Sequence, residues 1–213
     1  MTKVITVVGL GAGDLEQMPL GVYKLLTTSE HLFLRTKEHP VIDQMSSDLP
    51  EYQSFDSIYI ENEQFEQVYH KIVEELYKQA ENKEIVYAVP GHPLVAEQTV
   101  QLLLKEGREK GYEIKVKGGQ SFLDATFQAL EIDPVEGFQL LDALTLKREE
   151  LQLKQHIVIT QVYDQRVASE VKLTLMEQLP DAYEVWIVTA AGSSDQILKK
   201  IPLYEMDRVT TVN

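Results

Sequence analysis

The chain has 213 residues, 44% of them apolar and 25% charged, which suits one large or two small globular domains and gives no sign of disorder. It contains no cysteine, so disulfides and thiolate chemistry are excluded. A net charge of −14, from 34 acidic against 20 basic residues, argues against a nucleic-acid partner, because that affinity is largely phosphate neutralisation by Lys and Arg.

The N-terminus runs straight into a strand pattern, without a cleavable apolar segment, and no stretch approaches the ~20 apolar residues of a membrane span. A cytoplasmic protein with no membrane partner is expected. Residues 3–9 (KVITVVG) form a β-branched apolar run that ends in glycines, the pattern of a central parallel strand buried on both faces. A helix is predicted over 19–28, with Pro19 in its first turn, and a strand over 31–34. Residues 47–60 read as turns with short extended pieces. An amphipathic helix follows over 63–79, where Phe65, Val68, Ile72, Val73, Leu76 and Tyr77 recur at helical spacing. Residues 85–89 form the next strand, stopped by Pro90-Gly91-His92-Pro93, and a long helix is predicted over 94–110. Residues 113–117 are a strand that runs into Gly118-Gly119-Gln120-Ser121.

The second half restarts the alternation: helix 121–130, strands 138–141 and 156–162, helix 167–179 and strand 184–190. Strands alternating with helices predict an α/β fold with a largely parallel sheet. The glycine pair at 118–119 is a natural hinge, so an N-terminal lobe over 1–113 and a C-terminal lobe over 114–213 are expected. Residues 201–213 end in a β-prone run without a turn or tail, as expected where a longer protein continues.

Four turns could carry chemistry. Gly9, Gly11 and Gly13 follow the first strand, where glycine permits a sharp turn and close ligand approach. The dinucleotide fingerprint fails, because its third glycine would fall on Asp14. The second strand ends at Leu34-Arg35 where that fingerprint wants an acid; Arg35 would suit NADP, but the spacing is wrong. No phosphate-loop Gly-Lys-Ser/Thr follows either. A tight turn without a ligand explains this motif equally well. Pro90-Gly91-His92-Pro93 is a rigid turn at a sheet's carboxyl edge, where His92 would bind a ligand or simply start a helix. Ser121 suits a helix cap, and its hydroxyl could also meet a polar ligand. Thr189-Ala190-Ala191-Gly192-Ser193 ends a strand in small residues, leaving room for a ligand or for close packing. The histidines, His31, His39, His70, His92 and His156, show no metal-ligand spacing, and Glu63 with Glu66 forms a lone E-x-x-E pair that reads as a solvated face.

In this order and spacing, the turns resemble the tetrapyrrole (corrin/porphyrin) methylase family of two-lobed S-adenosylmethionine-dependent methyltransferases. The family's opening G-x-G-P-G-D is matched by Gly9-Leu10-Gly11-Ala12-Gly13-Asp14 except at Ala12. Pro90-Gly91-His92-Pro93 stands in the place of its S-G-D-P, and Gly118-Gly119-Gln120-Ser121-Phe122 in the place of its domain-junction P-G-x-S-S. The opening VVGLGAGDLEQMPLGVY and the segment AVPGHPLVAE are similar to the N-terminal methylase-like domain of YabN-type proteins, which carry a C-terminal MazG-type nucleoside-triphosphate pyrophosphohydrolase.

The resemblance implies a two-lobed α/β fold, each lobe a mostly parallel sheet flanked by helices, with S-adenosylmethionine in the cleft between the lobes. Implied cofactor contacts are Gly91, His92, Val95, Ser121, Phe122, Val162, Tyr163, Ala190, Ala191 and Gly192. Gly11, Ala12, Gly13 and Asp14 would face the small-molecule acceptor. No catalytic side chain and no metal is implied, and a homodimer is expected. Because Ala12 and His92 depart from the family's proline and aspartate, two activities stay open. One is methyl transfer; the other is a catalytically silent cofactor-binding module regulating the pyrophosphohydrolase.

Overall fold

In the computed structural model, which describes residues 3–62 and 64–209, the β-branched opening run is β1 (Lys3–Gly9). It leads through a 3-10 turn at Leu15–Gln17 to α1 (Leu20–Thr28), then β2 (Leu32–Leu34), α2 (Pro40–Gln44), β3 (Tyr52–Ser54), α3 (Asp56–Glu61) and α4 (Phe65–Gln79). β4 (Ile85–Val89), α5 (Gln98–Glu106) and β5 (Tyr112–Lys117) follow. The five strands form one parallel sheet in the order β3-β2-β4-β1-β5. Period-2 alternation divides the apolar side chains between its faces. Ile5, Val7, Phe33 and Tyr87 pack with Ile72 and Leu76 of α4 and Leu103 of α5. Val8, Leu34 and Ala88 pack instead with Leu26 of α1 and Ile42 of α2. Burial on both faces is why β1 and β4 read as continuous apolar runs.

α6 (Phe122–Leu130) leads into a second set of elements: β6 (Phe138–Asp142), β7 (His156–Thr160), α7 (Gln165–Met176), β8 (Glu184–Thr189), β9 (Ile197–Pro202) and α8 (Met206–Val209). β6 and β7 pair in parallel, while β8 and β9 form an antiparallel pair. The connection between β8 and β9 is too short for the crossover that parallel neighbours need, so this hairpin adds a strand order the sequence pattern did not indicate. Val167, Val171 and Leu175 of α7 form the buried centre of this part, with Leu203 and Met206.

The chain divides into two compact units, Met1–Ala125 and Thr126–Asn213. The expected boundary near 114 falls inside β5, which pairs with β1 over its whole length. Three expected elements differ in extent for local reasons. The helix expected from residue 94 starts only at Gln98, because Ala96 is left-handed (φ 54°) and breaks a helical path, and it stops at Gly107. The β-prone stretch after residue 201 ends as a strand at Pro202, and residues 203–209 turn into 3-10 and α-helix. The helix expected over 63–79 begins at Phe65. Glu63, half of the E-x-x-E pair, lies outside the described residues, as do Thr210–Asn213. Among the described residues no helix is long and apolar enough to cross a membrane.

Candidate ligand site

β4, β1 and β5 are neighbours and end nearly level, with Gly9 opposite Val89 and Val8 opposite Lys117. The turns after them therefore meet. Leu10 N–H donates to the Val89 carbonyl at 2.8 Å, and Gly11 and Gly91 exchange two backbone hydrogen bonds at 3.2 and 3.0 Å. A Cβ on Gly9 would stand 2.3 Å from the Gly91 carbonyl oxygen and 2.8 Å from Pro93 Cδ, and one on Gly119 would stand 2.7 Å from the Gly9 carbonyl oxygen. Close backbone approach thus demands glycine at both positions.

Gly11 (φ 83°) and Gly91 (φ 64°) need glycine for a different reason, their left-handed backbone, and a Cβ on either would meet nothing within 4 Å. The cluster is welded at Gly9 and Gly119, whereas at Gly11, which is buried, and Gly91, which is half-buried, there is room for a methyl group.

Three side chains hold this cluster from α2 and the first turn. Asp14 Oδ1 accepts from Glu16 N–H at 2.9 Å and caps the 3-10 turn. Gln44 accepts from Leu15 N–H at 3.1 Å and donates to the Gly13 carbonyl at 3.2 Å. His39 caps α2, with Nδ1 accepting from Val41 N–H at 3.3 Å, and the Gly11 backbone lies close enough to its ring to act on its pKa. Ala12, between two glycines so held, makes no polar side-chain contact.

Burial lowers the His39 pKa below its ordinary 6.5, against the smaller raising effects of the Gly11 carbonyl and Asp43. The folded ring is neutral at neutral pH, so on acidification the unfolded chain takes up this proton first. The His39 contribution is complete above about pH 6.5 and declines as pH falls below it towards the folded value. Urea midpoints measured between about pH 8 and pH 5 should show this decline in the native chain and a shallower one in His39→Asn.

The turn after β4 and the start of α6 complete the first-unit candidates. His92 Nδ1 accepts from Leu94 N–H at 3.1 Å, so the neutral ring carries its proton on Nε2. That nitrogen lies against Gly118, 3.3 Å from where a Cβ would stand. Val95 N–H donates to the His92 carbonyl at 2.9 Å, closing the turn. Ser121 Oγ accepts from Leu123 N–H at 3.1 Å and donates to Asp124 at 3.0 Å, and Asp124 also accepts from Ser121 N–H at 2.8 Å. This reciprocal cap commits the Ser121 hydroxyl to starting α6 beside Phe122.

In the second unit, the candidates sit at two strand ends. Gln161 (φ 65°) follows β7, and Ala190 (φ 50°) and Gly192 (φ 81°) follow β8. The left-handed conformation costs Gln161 and Ala190 roughly 1–2 kcal/mol each. Around Ala190 the backbone is braced, since Ser193 donates twice to the Ala190 carbonyl at 2.9 and 3.1 Å, and Gly192 N–H donates to Gln196 Oε1 at 3.0 Å. Val162 and Ala190 line one cavity of about 560 Å³ between β7 and β8. Tyr163, next to Val162, is 49% exposed, and Ala191 is half-buried beside Gly192.

Arg35 has another task than cofactor selection. From the end of β2 its Nη1 donates to Glu97 Oε2 at 2.6 Å and its Nε to Tyr59 Oη at 2.8 Å. Thr99 donates to the other Glu97 oxygen at 2.7 Å, and the Tyr87 hydroxyl lies 3.1 Å from Thr99. Burial pulls the Arg35 pKa down, but Glu97 and Tyr59 outweigh it and the net shift is upward. The network joins the end of β2 to the start of α5.

Among the described residues no group of three His, Cys, Asp or Glu is placed to hold a metal ion. The sequence profile of Tetrapyrrole (Corrin/Porphyrin) Methylases matches residues 4–207. The chain belongs to this methylase family. It is 54% identical over all 213 residues to the uncharacterized protein YabN of Bacillus subtilis (strain 168), and it spans 44% of that relative's length.

The methylase fold recurs in a cobalt precorrin-4 methyltransferase, CbiF (TM-score 0.70, 16% identity, covering 97% of this chain and 88% of that one). It recurs in a uroporphyrin-III C-methyltransferase from Thermus thermophilus complexed with S-adenosylhomocysteine (0.68, 17%, 96% and 85%). A diphthine synthase shares it as well (0.69, 14%, 99% and 86%).

The methylase motifs flagged the turns but not their supports. His39, Gln44, Arg35 and Glu97 carry no motif. The legible signal was His39-Pro40, a capping residue before a proline suited to the first turn of a helix.

Proposed function

We propose that this methylase chain binds S-adenosylmethionine and transfers its methyl group to a small-molecule acceptor. The carrying observation is the methyl-sized space beside Gly11 and Gly91, where an added Cβ would meet no atom within 4 Å, next to glycines that weld the same turns together. A ligand packed against turns free of side chains at these positions makes a low demand on side-chain identity. That tolerance accommodates Ala12 and His92.

Gly91, His92, Val95, Ser121 and Phe122 of the first unit would hold the cofactor, with Val162, Tyr163, Ala190, Ala191 and Gly192 of the second. With Nδ1 taken by Leu94, His92 offers a ligand a donor at Nε2, where an aspartate would offer an acceptor. Gly11, Ala12, Gly13 and Asp14 would face the acceptor. When bound, the cofactor supplies an electrophilic methyl on a sulfonium. The protein's part is to hold a nucleophile in line and close, and to exclude water.

Titration calorimetry should give saturable binding of S-adenosylmethionine and S-adenosylhomocysteine, and Gly91→Val should weaken both at least tenfold. No heat and no thermal shift with either ligand would refute the reading. Binding without methyl turnover on any acceptor would assign the chain a metabolite-binding role instead.

We further propose that the chain acts as a homodimer in the cytoplasm, within a longer protein that carries a MazG-type domain. That domain would hydrolyse a nucleoside triphosphate with water to the monophosphate and pyrophosphate. A longer protein that releases no pyrophosphate from any nucleoside triphosphate would refute this part.

A further inference from the structure

Residues 90–97 connect β4 to α5, and their burial is uneven. Pro93 and Glu97 are buried, while between them Leu94 and Ala96 are exposed and Val95 is half-buried. Residues 94–96 are thus a short strap pinned at both ends. Pro93 holds the near end, packed against the Gly9 turn. Among the described residues the hydrogen bonds of the strap are internal, because the Leu94 and Val95 N–H groups both return to His92. They shape the turn without tying its far end to the sheet.

Glu97 is what ties that end. It stands just before α5, a place that favours Ser, Thr, Asp or Asn because their short side chains accept from the first N–H groups of a helix. Glu97 makes no such cap bond. Its carboxylate turns instead to Arg35 Nη1 at 2.6 Å and to the Thr99 hydroxyl at 2.7 Å. Arg35 is itself a fixed post. Its N–H donates to the Ala88 carbonyl of β4 at 2.9 Å and its Nε to Tyr59 of α3 at 2.8 Å. The guanidinium carbon lies 5.8 Å and 6.0 Å from the ring centres of Tyr59 and of Tyr69 on α4. Ala96, next to Glu97, has φ 54° and is the only non-glycine residue with a left-handed backbone among the described residues of the first unit. Alanine keeps that conformation only where its surroundings impose it.

We propose that Arg35 and Glu97 are positioning residues, whose ion pair pins the far end of the strap, holds Ala96 left-handed and so sets His92 and Val95 for the cofactor. The proposal rests on the reading of His92 and Val95 as cofactor contacts, and in it neither Arg35 nor Glu97 touches the ligand. A buried ion pair often gives no more stability than an apolar pair of similar volume, but it fixes the direction in which two groups meet. The planar fork of Arg35 fixes it twice, on Glu97 and on Tyr59. What the pair supplies is geometry.

Two variants of the 213-residue chain test this. Arg35→Met combined with Glu97→Leu removes the pair without stranding a charge, and Glu97→Gln keeps an oxygen for Arg35 and Thr99. Isotope-labelled protein is read first without ligand, by the Ala96 Cα and Cβ chemical shifts, and then titrated with S-adenosylhomocysteine by calorimetry. The folded double variant should lose the left-handed signature at Ala96 and bind at least ~tenfold more weakly. Glu97→Gln should keep the signature and an affinity within ~threefold of the native chain. A pair with a structural role alone would change the urea midpoint and leave both readouts native. If the double variant does not fold, Arg35→Lys takes its place: it keeps a cation for Glu97 but loses the fork, and should bind at least ~threefold more weakly with the signature lost. Native Ala96 shifts or native affinity in the folded variant overturns the proposal. A native chain that binds no S-adenosylhomocysteine refutes the cofactor reading alone, and the ligand-free Ala96 shifts then decide the pinning.

Discussion

Gly9→Ala is expected to destabilise the first unit by about 3 kcal/mol and to abolish binding of S-adenosylmethionine. Its new methyl would stand 2.3 Å from the Gly91 carbonyl oxygen, 2.8 Å from Pro93 Cδ and 3.2 Å from the Gly119 nitrogen. None of these is the end of a flexible side chain. They are backbone or ring atoms of turns tied together by the Gly11–Gly91 bridge. Relief requires the β1 and β4 turns to separate, which breaks that bridge and moves the backbone of Gly11 and Gly91. Gly21→Ala is the control: it lies in α1 with no atom within 4 Å of the added methyl, and should stabilise by ~0.5–1 kcal/mol. Urea denaturation and titration calorimetry on both variants check the pair. Native-like stability in Gly9→Ala would show that the turns separate freely.

Arg35→Met is expected to cost about 3–5 kcal/mol, because it leaves the Glu97 carboxylate buried without its cation. Glu97 is 2% exposed and Arg35 24%, so solvent replaces little of the lost interaction, although the lower half of the range is expected from the part of Arg35 that water reaches. Thr99 would still donate to Glu97, but a neutral hydroxyl does not balance a buried charge. The double variant Arg35→Met with Glu97→Leu should be more stable than Arg35→Met alone, since it removes the stranded charge. A double-mutant cycle by urea denaturation reads the coupling directly. A double variant no more stable than the single one would mean that Glu97 is already adequately solvated in Arg35→Met.

The alternation of strands and helices was legible because burial on both faces forces β1 and β4 to be continuous apolar runs, and α4 shows its buried stripe at helical spacing. The glycine turns were legible for a similar reason: a left-handed or sterically closed position accepts almost nothing else. What those turns do for one another was not. Gly9 and Gly119 are 110 residues apart in sequence, and only the β4-β1-β5 order brings them together. Ser121 showed itself as a capping residue, and that is where its hydrogen bonds go. Arg35 read as a possible phosphate contact, but Glu97, 62 residues later, takes its guanidinium.

By itself, the sequence determined the α/β class, the places where the backbone must turn without a side chain, and the methylase family that those turns spell out. These are local demands of φ, sterics and burial, each written in a few adjacent residues. Only the tertiary structure decided which glycines weld the turns and which leave room for a methyl group. It also decided that Gln44 holds the Gly13 carbonyl, and that Glu97 takes the guanidinium of Arg35. Each of these depends on strand order and register, which bring together residues far apart in sequence and leave no trace in either neighbourhood alone.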